Sequence, residues 1–183
     1  MNDVMKAIFE RYSCRNFSPN PLDKEQVDML VRAALAAPSA VNRQPWHIIA
    51  ITNKALIEEM DSYILEGIKR DNKDWYQRMV ERGGKIFYDA PCLIVIARDS
   101  SDYAYLDAGI VSQNIALAAH SMGLGSVICG MARTAFAGEK GEAYKKRISI
   151  PGGYEFGMSV CVGEALSSKE PHELDFDKVS YVV

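Results

Sequence analysis

The chain has 183 residues, of which 48% are hydrophobic and 25% charged, and its formal net charge is −3. Those proportions suit one folded domain and exclude a largely disordered chain, a collagen-like fibre and a small disulfide scaffold. A net negative charge also argues against a surface that neutralises a phosphodiester backbone, so no nucleic-acid partner is expected.

In chain order, Asn2–Glu10 reads as a short helix with Val4, Ala7 and Ile8 on one face. Pro19 and Pro21 break the chain. Asp23, followed three residues later by Gln26, predicts a capping box. It opens a helix in which Val27, Leu30, Val31, Ala34 and Leu35 recur at helical spacing until Pro38 ends it. A polar loop, Pro38–Pro45, leads into a strand, His47–Thr52, and Asn53 is placed to cap a helix running to about Arg70. Residues 71–88 read as a polar helix rich in aromatics. The unbroken apolar run CLIVIA, residues 92–97, has to be covered on both faces and belongs in mid-sheet.

Ala104–Met122 is a long helix with Gly123 as its C′ stop. A strand at 126–129, a charged helix at 138–148, a strand at 156–162 and a polar tail at about 167–183 complete the chain. Interspersed helices and strands predict a sheet sandwiched by helices, within a single domain over 1–183. No apolar run approaches the roughly 20 residues of a membrane helix, and the amino terminus lacks a secretory pattern, so no membrane partner is expected. Cys14, Cys92, Cys129 and Cys161 are widely separated, as suits a reducing cytoplasm.

Three segments carry candidate chemistry. Residues Arg11, Ser13 and Arg15 share one side of the chain if it is extended there, so that two guanidiniums and a hydroxyl converge in a way that suits a phosphate. The competing reading is an exposed helix end. The loop 38–46 carries Asn42 and Gln44, each with a donor and an acceptor able to read the edge of a flat heterocycle, or else to satisfy the loop's own backbone. Gly130 follows a strand and permits close backbone approach to a ligand. Other chemistries are unsupported. Gly123-Leu-Gly125 lies between a helix and a strand, the reverse of a dinucleotide fingerprint. His47, His120 and His172 are isolated, so no metal site is expected. No nucleophile elbow is present.

Together these segments resemble the nitroreductase family of FMN-binding flavoproteins. The resemblance runs in order through RYSCRNF (11–17), APSAVNRQPWHIIAI (37–51), DAPCLIVIA (89–97), DAGIVSQNIALAAHSMGLGSVICG (107–130) and IPGGYEFGMSVCVGEA (150–165), with Lys169 in the tail. It implies an α+β fold, a mostly antiparallel central sheet flanked by helices, in an intertwined homodimer with FMN at the subunit interface and the tail reaching over the partner.

By the same resemblance, Arg11, Ser13 and Lys169 match ligands of the FMN phosphate, and Arg15 matches a basic residue at the flavin pyrimidine edge. Pro38, Ser39, Ala40 and Asn42 match a loop that meets FMN from the other subunit, with Ala40 standing where the family often has Ser. Ile128, Gly130 and Met131 match the segment against the ring, and Asp107 stands where some members carry a ring-contacting Gln. Lys85 lies near the place of a second cation that some members carry. The implied activity is hydride uptake from NADH or NADPH and reduction of a small flat acceptor such as a nitroaromatic or quinone. Tyr63, Trp75, Tyr76 and Tyr103 are candidates to stack on it. A specialised flavin reaction such as reductive dehalogenation, and a non-catalytic FMN-binding protein, stay open. Cys14 is expected to point away from Arg11, Ser13 and Arg15 and to be inert.

Overall fold

Helices cover both faces of a central sheet in the computed structural model, which describes residues 1–183. The chain opens with α1 (Asp3–Glu10), capped by the Asn2 side chain accepting from the Met5 N–H. Next comes α2 (Lys24–Leu35), whose Asp23–Gln26 capping box forms in both directions. Then follow β1 (Trp46–Ile51), α3 (Lys54–Asp71), α4 (Lys73–Glu81) and β2 (Cys92–Arg98). The remainder is α5 (Ala104–Ser121), β3 (Gly125–Ile128), α6 (Arg133–Ala137), α7 (Gly141–Arg147) and β4 (Glu155–Gly163).

The sheet has the order β1-β2-β4-β3, and every neighbouring pair is antiparallel. As its apolar run requires, β2 is interior, and Leu93 to Ala97 are wholly buried. Its alternate residues feed two cores. Leu93 and Val95 pack with Ile57, Met60 and Ile64 of α3, whereas Ile94 and Ile96 pack with Leu30 of α2 and Val111 and Ile115 of α5. Gly157 forms a bulge opposite Ile96/Ala97, and this puts Phe156 on the same face as Cys161. A Cβ at Gly157 would lie 2.9 Å from the Ile96 carbonyl oxygen.

The helix boundaries mostly follow their local signals. Asn53 caps α3 by accepting from Leu56, and Gly123, at φ 74°, closes α5 with the paired Gly123→His120 and Leu124→Ala119 bonds of a Schellman motif. Three readings need correction. The helix expected over 71–88 stops at Glu81, because Gly83 and Gly84 adopt φ of 99° and 65° and turn the chain. The helix expected at 138–148 begins only at Gly141, since Gly138 is extended and packed against the Tyr63 hydroxyl. The short helix α6 was not foreseen; five residues carry too little periodicity to read.

Candidate functional site

The segment after α1 leaves the helix at once. Arg11 has φ −59° and ψ 138°, and Ser13 forms a parallel bridge with Ser126 on the outer side of β3. Extended geometry then alternates the side chains as expected. Cys14 turns inward and is wholly buried in the core, its thiol pushed up by burial, while Arg15 is exposed.

Arg11 and Ser13 meet. The Arg11 guanidinium donates from Nη2 to the Ser13 hydroxyl at 3.4 Å, and its Nε is buried with no partner. A buried, charged donor without an acceptor is costly, and an oxyanion beside the Ser13 hydroxyl would pair it. Arg15 donates to the Ser13 carbonyl at 3.4 Å and lies 6.0 Å from the centre of the Tyr88 ring.

Several contacts fix this segment, and the sequence reading missed most of them. A Cβ at Gly125 would fall 2.9 Å from Cys14 Cβ and Sγ and from Ala165 Cβ, so only glycine allows the approach. Phe17 bridges Ala165, and the Leu166 N–H donates to the Asn16 carbonyl. The Tyr12 hydroxyl donates to the Ser167 carbonyl, which ties the start of the tail beside Arg11 and Ser13. Lys169 follows two residues later and is exposed. Tyr12 sits inside the RYS motif, which was its available signal.

The chain between β3 and Gly130 is clamped as well. The buried Ser159 hydroxyl donates to the Cys129 carbonyl at 2.6 Å, and the Cys129 N–H donates to the Ser159 carbonyl at 2.8 Å. This presents Ile128, 39% exposed, and the exposed Gly130 and half-buried Met131 along one rim.

The loop 38–45 is built from its own polar groups. The Ser39 hydroxyl accepts from the Gln44 N–H at 2.9 Å, and the Gln44 amide donates to Asn42 Oδ1 at 3.2 Å. Val41, Asn42 and Gln44 all hold positive φ, near 50°, which is strained for Val and Gln. Asp107, buried in the first turn of α5, accepts from the Ala40 N–H at 3.4 Å and supports the loop from beneath. Pro38 is the loop's first residue, α2 having already ended at Leu35.

The fold does not bring all of these residues together. The loop leads into Trp46, the first residue of the edge strand β1, level with Arg98 and Glu155 at one end of the sheet. Ser13 lies beyond the opposite edge, next to Ser126 and level with Val162. Four strand intervals of about 4.8 Å, and roughly 20 Å along β4, separate the two places. Arg11, Ser13, Arg15, Ile128, Gly130 and Met131 thus form one group, and Pro38, Ser39, Ala40, Asn42 and Asp107 another.

Other candidates have structural partners. Lys85 donates to Asp89 at 2.9 Å, and that bond raises the lysine's pKa. Behind it the buried Asp61 carboxylate accepts from the Ile86 and Phe87 N–H groups at 3.0 and 2.7 Å. Tyr63 packs on Tyr144 with ring centres 5.5 Å apart, and Trp75 and Tyr76 lie against the core, whereas Tyr103 is 59% exposed. No helix is long and apolar enough to cross a membrane.

With this geometry in place, comparison with known proteins gives a consistent answer. A solved nitroreductase with bound FMN from Desulfitobacterium hafniense is 43% identical, covers 100% of both chains and superposes with a TM-score of 0.96. A Methanothermobacter thermautotrophicus relative is 34% identical over 134 residues, which span 70% of this chain and 61% of that protein. The NADPH-flavin oxidoreductase of Vibrio harveyi is 29% identical over 150 residues, spanning 75% of this chain and 57% of that enzyme. The chain thus matches little more than half the length of these two relatives. The Nitroreductase family model matches residues 8–164, most of the chain, and the protein belongs to the nitroreductase family.

Proposed function

We propose that the protein is an FMN-dependent oxidoreductase, a homodimer that takes hydride from NADH or NADPH and passes the electrons to a small flat acceptor. The observation that carries the reading is Arg11, which keeps a buried Nε without a partner beside the Ser13 hydroxyl, within a family whose solved member from Desulfitobacterium hafniense holds FMN. When bound, FMN supplies the two-electron transfer between nicotinamide and acceptor that no side chain of this protein offers.

The chain's own residues then have distinct tasks. Arg11 and Ser13 bind the phosphate, and Lys169 adds a third donor from the tail that Tyr12 anchors. Arg15 places a positive charge where negative charge grows at the pyrimidine edge on reduction; no step requires it to move a proton. Ile128, Gly130 and Met131 form the rim against which the ring rests. Ser159 holds the Cys129 carbonyl and so keeps that rim in place, and Gly130 leaves its backbone approachable.

A second chain answers the separation described above. Pro38, Ser39, Ala40 and Asn42 of one protomer, supported by Asp107, complete the site that Arg11 and Ser13 begin in its partner. Leu106 and Ile110 on α5, together with Val4 and Ile8 on α1, leave an exposed apolar face suited to that association. The acceptor is a nitroaromatic, a quinone or a compound of similar shape, bound over the same face that the nicotinamide leaves. The single domain works in the cytoplasm, where both nicotinamides are available.

The test is anaerobic. A yellow preparation should bleach on addition of NADH or NADPH and regain its colour with a quinone. A yellow preparation that neither nicotinamide bleaches contradicts the enzyme reading and leaves a flavin-binding protein.

A further inference from the structure

Where β2 ends and β4 begins, Arg98, Arg133 and Lys145 line a cavity of ≈ 290 Å³, walled by Tyr105 and Phe136. Glu155 is the one acidic side chain on it. Three cations therefore face one carboxylate, and that carboxylate is 70% exposed and 3.6 Å from Arg98 Nη2. Arg98 is held firmly. Its guanidinium lies 4.3 Å from the centre of the Tyr105 ring, Nη1 donates to the Asp99 carbonyl at 2.8 Å, and its side chain is 17% exposed. Its Nε is buried and has no partner, the one such atom in the chain besides Arg11 Nε. Arg133 is exposed, and Lys145 has only Glu142, on its own helix, at 2.8 Å.

The position matters as much as the charge. Arg133 lies three residues after Gly130, and Tyr105 lies two residues before Asp107, whose carboxylate supports the 39–44 loop. Two of the cavity's lining residues thus follow or precede, by a few positions in the chain, one candidate cofactor residue from each group, Gly130 and Asp107. We propose that the cavity binds a phosphate group of the pyridine-nucleotide reductant, an inference that rests on the function proposed above. Guanidinium forks match phosphate oxygens, and a lysine adds a point charge. The Tyr105–Arg98 stack fixes one fork in advance, which lowers the ordering cost of binding. The site holds the reductant and takes no part in the transfer of electrons. The phosphate is either in the pyrophosphate common to NADH and NADPH or is the 2′-phosphate of NADPH alone.

The variant is Arg133→Gln/Lys145→Gln, at two side chains outside the Arg98 network, with Arg133→Gln alone as a second. Calorimetry on the purified protein with inorganic pyrophosphate and with adenosine 2′-monophosphate reads the cavity directly. Binding by the parent, weakened about tenfold or more in the double variant, is expected; no binding, or equal binding by both, overturns the proposal. Anaerobic reduction then uses NADH, NADPH and 1-benzyl-1,4-dihydronicotinamide, which has no phosphate. The double variant should need about tenfold more dinucleotide for half-maximal rate and react unchanged with the benzyl compound. A loss confined to NADPH, with binding of adenosine 2′-monophosphate, identifies the 2′-phosphate; a loss with both identifies the pyrophosphate. Unchanged dinucleotide dependence, or a parallel loss with the benzyl compound, overturns the proposal. Failure of the flavin reading looks different: none of the three reductants reacts, and the calorimetry alone then decides whether the cavity takes phosphate.

Discussion

The Arg11 guanidinium reaches the Ser13 hydroxyl at 3.4 Å across the turn of chain that leaves α1, while its own Nε stays buried and unpaired. The pair is held against β3 by a glycine, Gly125, that leaves room for Cys14, and against the tail by Tyr12. Side-chain directions thus alternate over 11–15: Tyr12 and Cys14 pack against the core and fix the segment, while Arg15 is left exposed.

Arg11→Ala removes the charge and both kinds of donor. FMN affinity should fall about 10- to 100-fold, the equivalent of one lost charge-assisted contact. Ser13→Ala should cost less, on the order of tenfold. Titration of flavin fluorescence against each apoprotein checks both, and an unchanged affinity for the Arg11 variant would remove it from the phosphate site.

Arg15→Ala should leave FMN bound and lower its midpoint potential, because a positive charge near the pyrimidine edge stabilises the reduced, more negative state. A loss worth 1.4 kcal/mol corresponds to roughly 30 mV for a two-electron couple. Spectroelectrochemistry reads this shift directly; an unchanged potential contradicts the role given to Arg15.

Asp61 gives the stability a pH dependence. Its burial pushes the carboxyl up, against the lowering effect of the Phe87 and Ile86 N–H bonds. The folded state therefore keeps a proton that the unfolded chain releases at the ordinary carboxylate pKa. Asp61's contribution is full below that ordinary value and is lost as pH rises through the raised one. Asp61→Asn keeps an acceptor oxygen for both N–H groups and should flatten this part of the profile. Urea unfolding between pH 4 and pH 8 measures it, and identical slopes in parent and variant count against the account.

The four cysteines are all buried. Burial pushes Cys92 up to about 12 and raises Cys14 as well. The native protein should resist an aromatic disulfide reagent at pH 8, with all four thiols reacting in denaturant. Prompt reaction of Cys14 would show that the 11–17 segment opens far more readily than its contacts with Gly125 and Ala165 imply.

Much of this architecture was legible in the sequence because its signals are local. The Asp23–Gln26 box, the Asn53 cap, the Gly123 stop and the apolar run of β2 each act within a few residues. The alternation of Arg11, Ser13 and Arg15 around an inward Cys14 was legible for the same reason. What escaped depends on distant partners. Asp61 gains its meaning from Ile86 and Phe87, Gly125 from Cys14 and Ala165, and Ser159 from Cys129. The end of the 71–88 helix was misplaced because helical propensity around Trp75 and Tyr76 masked two glycines that adopt positive φ. Sheet order, which sets the 38–45 loop and the 11–15 segment at opposite corners, has no local signature at all.

That separation makes sedimentation velocity, recorded at a protein wavelength and at the flavin band, the most direct test of the composite site. The account predicts that flavin absorbance travels with a particle of twice the 20.3 kDa chain mass, at one FMN per chain. Flavin travelling with a single chain, or a dimer that takes up none from solution, would contradict it.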